Sequence, residues 1–195
     1  MQAMLKMTVV LAGVLALAAC QNSGFPNYPD QTVTSAPPSP QVQSFNDNAD
    51  IDAYQDREEA TLRNELVNSG INVARKGQAV ILSVGNDIWF ASDSAQVEPQ
   101  ARDTVHVIAN VLRRYPGTHI DVDGFTDTTG SREHNLDLSR ERADAVADLL
   151  ARDGIEPGRI VTRGHGAEFL KVPTADQTPE PLNRRVEITI EPYRG

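Results

Sequence analysis

Asp127 follows the apolar run Ile120-Asp121-Val122 in a polar turn, and Arg142 lies well inside the helical pattern after it, with Asn135 seven residues before it. Seven residues is nearly two helical turns, so Asn135 and Arg142 share a face, with Leu138 and Ser139 between them. Helical side chains lean toward the N-terminus, which lets Arg142 reach back to the turn holding Asp127. A guanidinium grips a carboxylate through two parallel hydrogen bonds, and a carboxylate accepts from an ammonium. An Asp and an Arg in one cleft therefore suit the two halves of a zwitterion such as an amino acid head group. The same spacing serves a structural ion pair with no ligand, because most surface pairs contribute only about 0 to 1 kcal/mol and do nothing further.

Other chemistry is less well supported. Asp121, Asp123 and Asp127 lie as close in sequence as the paired carboxylates of a glycosidase would lie in space. Strand alternation sends Asp121 and Asp123 to one face, flanked by Ile120 and Val122, which is the ordinary half-exposed pattern. Nothing tunes two of these acids apart as general acid-base work requires, so no catalytic residue is assigned and no enzymatic activity is expected. His106, His119, His134 and His165 have no metal-ligand spacing with the single cysteine or with one another, so neither a metal nor a cofactor is expected. A formal net charge of -9 without a basic patch argues against nucleic acid as a partner.

Periodicity supplies the elements that position these residues. A short, partly exposed helix over 50–68 carries Ala60, Leu62, Leu66 and Val67 among charges, with Glu58 four residues before Leu62. Strands over 71–73 and 79–84 flank the turn Arg75-Lys76-Gly77-Gln78. Gly85-Asn86-Asp87 breaks the run before Ile88-Trp89-Phe90, and the wording from Asp87 to Ala95 resembles the entry strand of the family named below, which implies a further strand. Apolar residues at Val97, Ala101, Val105, Ile108, Val111 and Leu112 predict a helix over 97–115, stopped by Pro116-Gly117. A strand over 119–122 precedes a second helix over 136–150, with Ser131 as a candidate N-cap and Gly154 past its end. Strands over 159–164 and 185–190 complete an α+β fold, β-α-β-α-β-β with two helices on one face of a mixed sheet, preceded by a helix and hairpin.

The first residues are expected to direct the chain out of the cytoplasm. Lys6 gives a short positive region, Val9 to Leu17 is apolar, and the run ends Leu17-Ala18-Ala19-Cys20. It reads as a secretory signal, too short to span a bilayer comfortably. Leu-Ala-Ala-Cys resembles the lipobox of bacterial lipoproteins, which implies a signal peptide over 1–19 and acylation, palmitate included, at Cys20. The alternative is an ordinary cleaved signal with a leftover thiol. Gln21 stands where an inner-membrane retention signal would show Asp, so the resemblance implies the periplasmic face of the outer membrane. Residues 20–50, rich in Pro, Ser, Gln and Asn, read as a disordered tether. As a coil it would span about 30 Å, and about 90 Å if extended.

The segment Gly124-Phe125-Thr126-Asp127 through Leu138-Ser139-Arg140-Glu141-Arg142-Ala143, with Leu182-Asn183-Arg184-Arg185-Val186-Glu187 later, resembles the OmpA-like C-terminal domain family. The resemblance covers about 79–192, with 51–78 as a preceding helix and hairpin and 79–195 as the binding domain. It implies an OmpA-like sandwich that holds peptidoglycan through diaminopimelate of the stem peptide. Asp127, Asn135 and Arg142 match the family's ligand residues, with Arg184 as a weaker match near the ligand carboxylate. Both Arg184 and Arg185 also suit the solvated end of an edge strand. The implied role is a non-covalent link from outer membrane to cell wall. Docking onto a periplasmic protein complex is the alternative, and wall hydrolysis a remoter one. Two departures bear on the cleft. Phe125 stands where the family has histidine, removing any contact or pH response from that side chain. The loop 178–182 is about two residues shorter than usual, which changes the rim.

Overall fold

The structure, a computed structural model, describes residues 48–193. The expected signal peptide, the acylation at Cys20 and the tether up to residue 47 lie outside the described residues. The α-helices and strands are α1 (Asn48–Glu65), β1 (Asn72–Lys76), β2 (Ala79–Gly85), α2 (Asn86–Trp89), α3 (Pro99–Arg114), β3 (Thr118–Phe125), α4 (Arg132–Arg152), β4 (Ile160–Gly164) and β5 (Arg185–Pro192), with a 3-10 turn over Pro157–Arg159 before β4. From β2 onward the long elements run β-α-β-α-β-β. They form one five-stranded sheet in the order β1-β2-β5-β3-β4, antiparallel except for the β3–β4 pair.

Strand alternation explains which face is covered. Val80, Leu82 and Val84 of β2, Ile120 and Val122 of β3, and Val186, Ile188 and Ile190 of β5 are all buried. They meet Ala101, Val105, Ile108 and Leu112 of α3 and Ala143, Val146 and Leu150 of α4, so both long helices cover the same face. The sheet's other face carries Asp121, Asp123, Glu187 and Glu191. There Asp121 pairs with Arg163 at 2.9 Å and Asp123 with His165 at 2.8 Å, so these acids are engaged in surface pairs.

Helix α4 is set by its ends. Ser131 accepts from the His134 backbone N–H at 3.2 Å, the expected N-cap. At the other end Ile155 N–H donates to Leu150 and Gly154 N–H to Ala151, a Schellman motif with Gly154 at φ +94°. The helix lies almost in contact with the strand beneath it, and a Cβ on Gly124 would overlap the Ser139 carbonyl. Gly124→Ala is therefore expected to force α4 away from β3 and cost about 3 kcal/mol in denaturant unfolding. Gly158→Ala, in open space, should stay within about 0.5 kcal/mol of the parent.

Three expectations change. Ile88-Trp89-Phe90 is not a strand. Asn86 to Trp89 close one helical turn, with Phe90 N–H on Asn86 O at 2.8 Å, and Phe90 only then bridges Val97. Val97 belongs to that bridge, and α3 starts at Pro99, whose missing N–H costs nothing at the first helical position. Helix α1 begins at Asn48, inside the stretch assigned to the tether, and buries a different stripe. Tyr54, Gln55, Glu58 and Leu62 face inward, while Ala60 and Val67 are exposed. Arg75 of β1 holds the outer side of this helix through Asp56 at 3.2 Å and Glu59 at 3.6 Å.

Candidate functional site

The ends of β3 and β5 and the single turn α2 meet at one corner of the sheet. Asn86 ties them together, its N–H donating to Arg184 O at 2.9 Å and its Nδ2 to Phe125 O at 3.2 Å. This sets Asp87 opposite Arg184, whose Nη2 lies 2.8 Å from Asp87 Oδ2. The other arm of Arg184, Nη1, lies 2.8 Å from Asp127 Oδ2. Held first by Asp87 and then by Asp127, the Arg184 guanidinium is shifted further toward its charged form.

Asp127 sits just past β3 and is buried. Burial alone would raise its pKa. Hydrogen bonds from Arg184, from Thr129 N–H at 3.0 Å and from Glu180 N–H at 3.2 Å outweigh that and hold the carboxyl below its usual range. Asp127 is therefore an ionised acid whose lone pairs are largely committed. The ion pair envisaged between Asp127 and Arg142 forms instead between Asp127 and Arg184.

Arg142 is consequently left without a carboxylate. It is only 4% exposed, its Nε donates to Ser94 O at 2.8 Å, and its guanidinium carbon stands 5.3 Å from the Phe90 ring centroid. Among the described residues its two terminal nitrogens have no hydrogen-bond partner and no acid lies within salt-bridge distance. Desolvation by burial lowers its pKa, opposed by Asp93, Asp87 and Asp127 and reinforced by Arg184. It stays charged nonetheless. Asn135 lies nearly two turns before it on α4, with Nδ2 donating to Asp127 O at 3.3 Å and Thr129 O at 2.9 Å. The structure thus brings together Asp127, Asn135 and Arg184 by direct hydrogen bonds, and Arg142 by electrostatic reach. It adds Asp87, Phe90 and Ser94, which sequence reasoning passed over. The break at Gly85-Asn86-Asp87 and the resemblance of residues 87–95 to a family entry strand marked that region, and nothing local in it points to Arg184.

The two arginines of Asn183-Arg184-Arg185 separate by strand alternation. Arg185 is buried on the opposite side, 3.8 Å over the Phe125 ring and 2.7 Å from Glu187, and β5 is a central strand, so neither arginine is a solvated strand end. Phe125 is itself stacked on His165 at 4.9 Å, which gives this departure a packing role outside the cleft. Asn183, fully buried, exchanges two hydrogen bonds of 2.8 Å with Val172 and closes the loop before β5. The short loop 178–182 forms the rim through its direct bond from Glu180 N–H to Asp127. His134 Nε2 meets Asp93 Oδ1 at 2.7 Å on the exposed surface. Among the described residues no group of three or more His, Cys, Asp or Glu is arranged to hold a metal, and no helix is long and apolar enough to cross a membrane.

The chain is 39% identical over 139 residues to a probable lipoprotein, YiaD, of Escherichia coli K12, covering 71% of this chain and 64% of that protein. It is 38% identical to the peptidoglycan-associated lipoprotein of Agrobacterium fabrum, over 53% of this chain and 60% of that one. It thus spans less than two thirds of either relative. Among solved structures, the cell wall anchor of the T6SS from Pseudomonas aeruginosa superposes with a TM-score of 0.61 at 28% identity, covering 70% of this chain and 98% of that one. Residues 89–185, which hold α3, β3, α4, β4 and the corner around Asp127 and Arg142 except Asn86 and Asp87, match the OmpA family. The chain belongs, through that domain, to the OmpA family.

Proposed function

We propose that the domain holds peptidoglycan non-covalently and that the chain, acylated at Cys20 on the periplasmic face of the outer membrane, ties that membrane to the cell wall. One observation carries this reading: Arg142 is a buried guanidinium with a free two-pronged edge beside an ionised acid. The side chain is largely withdrawn from water, yet its terminal nitrogens are not sealed off, so a ligand can reach them and supply the missing partner. A carboxylate fits that edge bidentately, and an ammonium on the same carbon is drawn to the acid side formed by Asp127 and Asp87. The distal amino acid head group of diaminopimelate has this form. The relatives described as a peptidoglycan-associated lipoprotein and a cell wall anchor support the same reading. The site captures without chemistry, and a tether makes rebinding nearly intramolecular, so modest affinity gives a durable link.

Lysine differs from diaminopimelate by lacking the distal carboxylate. Calorimetric titration of the full chain in detergent with stem tripeptides is expected to show binding of the diaminopimelate form and at least a hundredfold weaker binding of the lysine form. Equal affinity for the two would remove Arg142 as the carboxylate receptor. Docking onto a periplasmic protein complex is a second reading, favoured by the likeness to the T6SS anchor. In that case the domain should cross-link to a protein partner, and the absence of any protein cross-link would count against it.

A further inference from the structure

Asn135 shares a helix face with Arg142 but serves a different space. A cavity of about 600 Å³ lies between the first turn of α4 and the loops 165–170 and 174–177. Asn135 lines it, whereas Asp127, Arg142 and Arg184 do not. The amide is 5% exposed and fixed by its two Nδ2 hydrogen bonds, yet its Oδ1 has no partner among the described residues. That oxygen looks toward Gly130, another lining residue, where an added Cβ would stand 3.7 Å away. An acceptor held in place by its own amide nitrogen, without a protein partner and open to the cavity, is one that a ligand donor can reach.

The walls are built rather than loose. Gly130 and Gln177 exchange two hydrogen bonds of 3.0 and 2.9 Å, and Thr128 Oγ1 donates to Ala175 O at 2.7 Å. Leu136, Ala167 and Leu170 give apolar patches between the polar groups, a mixture that suits peptide amides with short side chains. A sugar ring would want a free aromatic face. The only ring in the lining is His165, already stacked on Phe125 at 4.9 Å and met edgewise by Phe169 at 5.2 Å.

We propose that this cavity is a second subsite, receiving the peptide backbone that continues from the residue held at Arg142, with Asn135 Oδ1 accepting a peptide N–H. The proposal rests on the reading of Arg142 given above. The test titrates the full chain in detergent with free meso-diaminopimelate, with the stem tripeptide ending in it, and with the peptide-free glycan disaccharide. It uses the parent, Leu136→Trp and Ala167→Trp, the second variant standing in should the first fail to fold. The tripeptide should bind the parent at least tenfold more tightly than free diaminopimelate, that ratio should fall close to one in the variants, and the disaccharide should not bind. A ratio near one in the parent, a tenfold preference that survives both variants, or disaccharide binding that the variants abolish would each overturn the subsite while leaving Arg142 in place. A parent that binds neither diaminopimelate nor the tripeptide overturns both readings together.

Discussion

Replacing Arg142 with methionine is expected to abolish retention of the protein on isolated sacculi while the domain melts at the same temperature or higher. Both halves of this expectation come from one geometry. The guanidinium is buried, makes a single protein hydrogen bond to Ser94 O, and lacks an ion pair among the described residues. Removing a buried charge of this kind relieves a desolvation cost, and methionine keeps the stem packed over Phe90. Binding loses a bidentate, charge-assisted contact, which should cost about 3 kcal/mol, or about a hundredfold in affinity. Arg142→Lys keeps the charge without the fork and should fall between the two. Asp127→Ala is a less discriminating variant. It frees one arm of Arg184, the other staying on Asp87, and strands the Thr129 and Glu180 N–H groups, so lost binding would be accompanied by a loosened rim. A sacculus pull-down with parallel thermal melts decides the matter. Undiminished retention of Arg142→Met, or lost retention with an equally large loss of stability, would remove the functional reading of this arginine.

Asp127, Asn135 and Arg142 were legible in the sequence because one strand-turn-helix unit carries all three, so their spacing alone puts them at one corner. The Ser131 cap and the Gly154 Schellman motif were legible for the same local reason. The partner of Asp127 was not. Arg184 meets Asp87 across 97 residues, through the pairing of β5 with β2 and β3, and no local pattern encodes which strand ends converge. The single turn α2 was hidden because three apolar residues in a row read equally as a strand. Burial splits them: Trp89 and Phe90 are buried, whereas Ile88 is half exposed. The inner face of α1 escaped a search for apolar periodicity because two of the residues on it are Gln55 and Glu58.

That buried stripe carries the second large effect: Glu58→Gln is expected to stabilise the docked helix at neutral and alkaline pH and to leave it nearly unchanged in acid. Glu58 is fully buried, and neither carboxylate oxygen has a hydrogen-bond partner. Arg159 is close enough to attract it but spends its donors elsewhere, on Thr118 O at 2.8 Å, Leu112 O at 3.3 Å and Tyr115 O at 3.0 Å. Desolvation therefore dominates over the pull of Arg159 and Arg75, and the Glu58 pKa rises from 4.5 to about 8. The docked helix holds a proton that the undocked helix releases. Its contribution is fully present below pH 4.5, declines as pH rises, and is lost once pH passes about 8. At pH 7 the accumulated cost is about 3 kcal/mol, which glutamine, neutral and of nearly the same shape, does not incur. Every other titratable group is common to both proteins and cancels in the difference. Hydrogen exchange over α1, or denaturant unfolding of the parent and Glu58→Gln at pH 5 and pH 8, should show a gap that opens with pH. Parallel pH profiles for the two proteins would mean that Glu58 finds a partner when α1 is docked and that its proton has no part in holding the helix down.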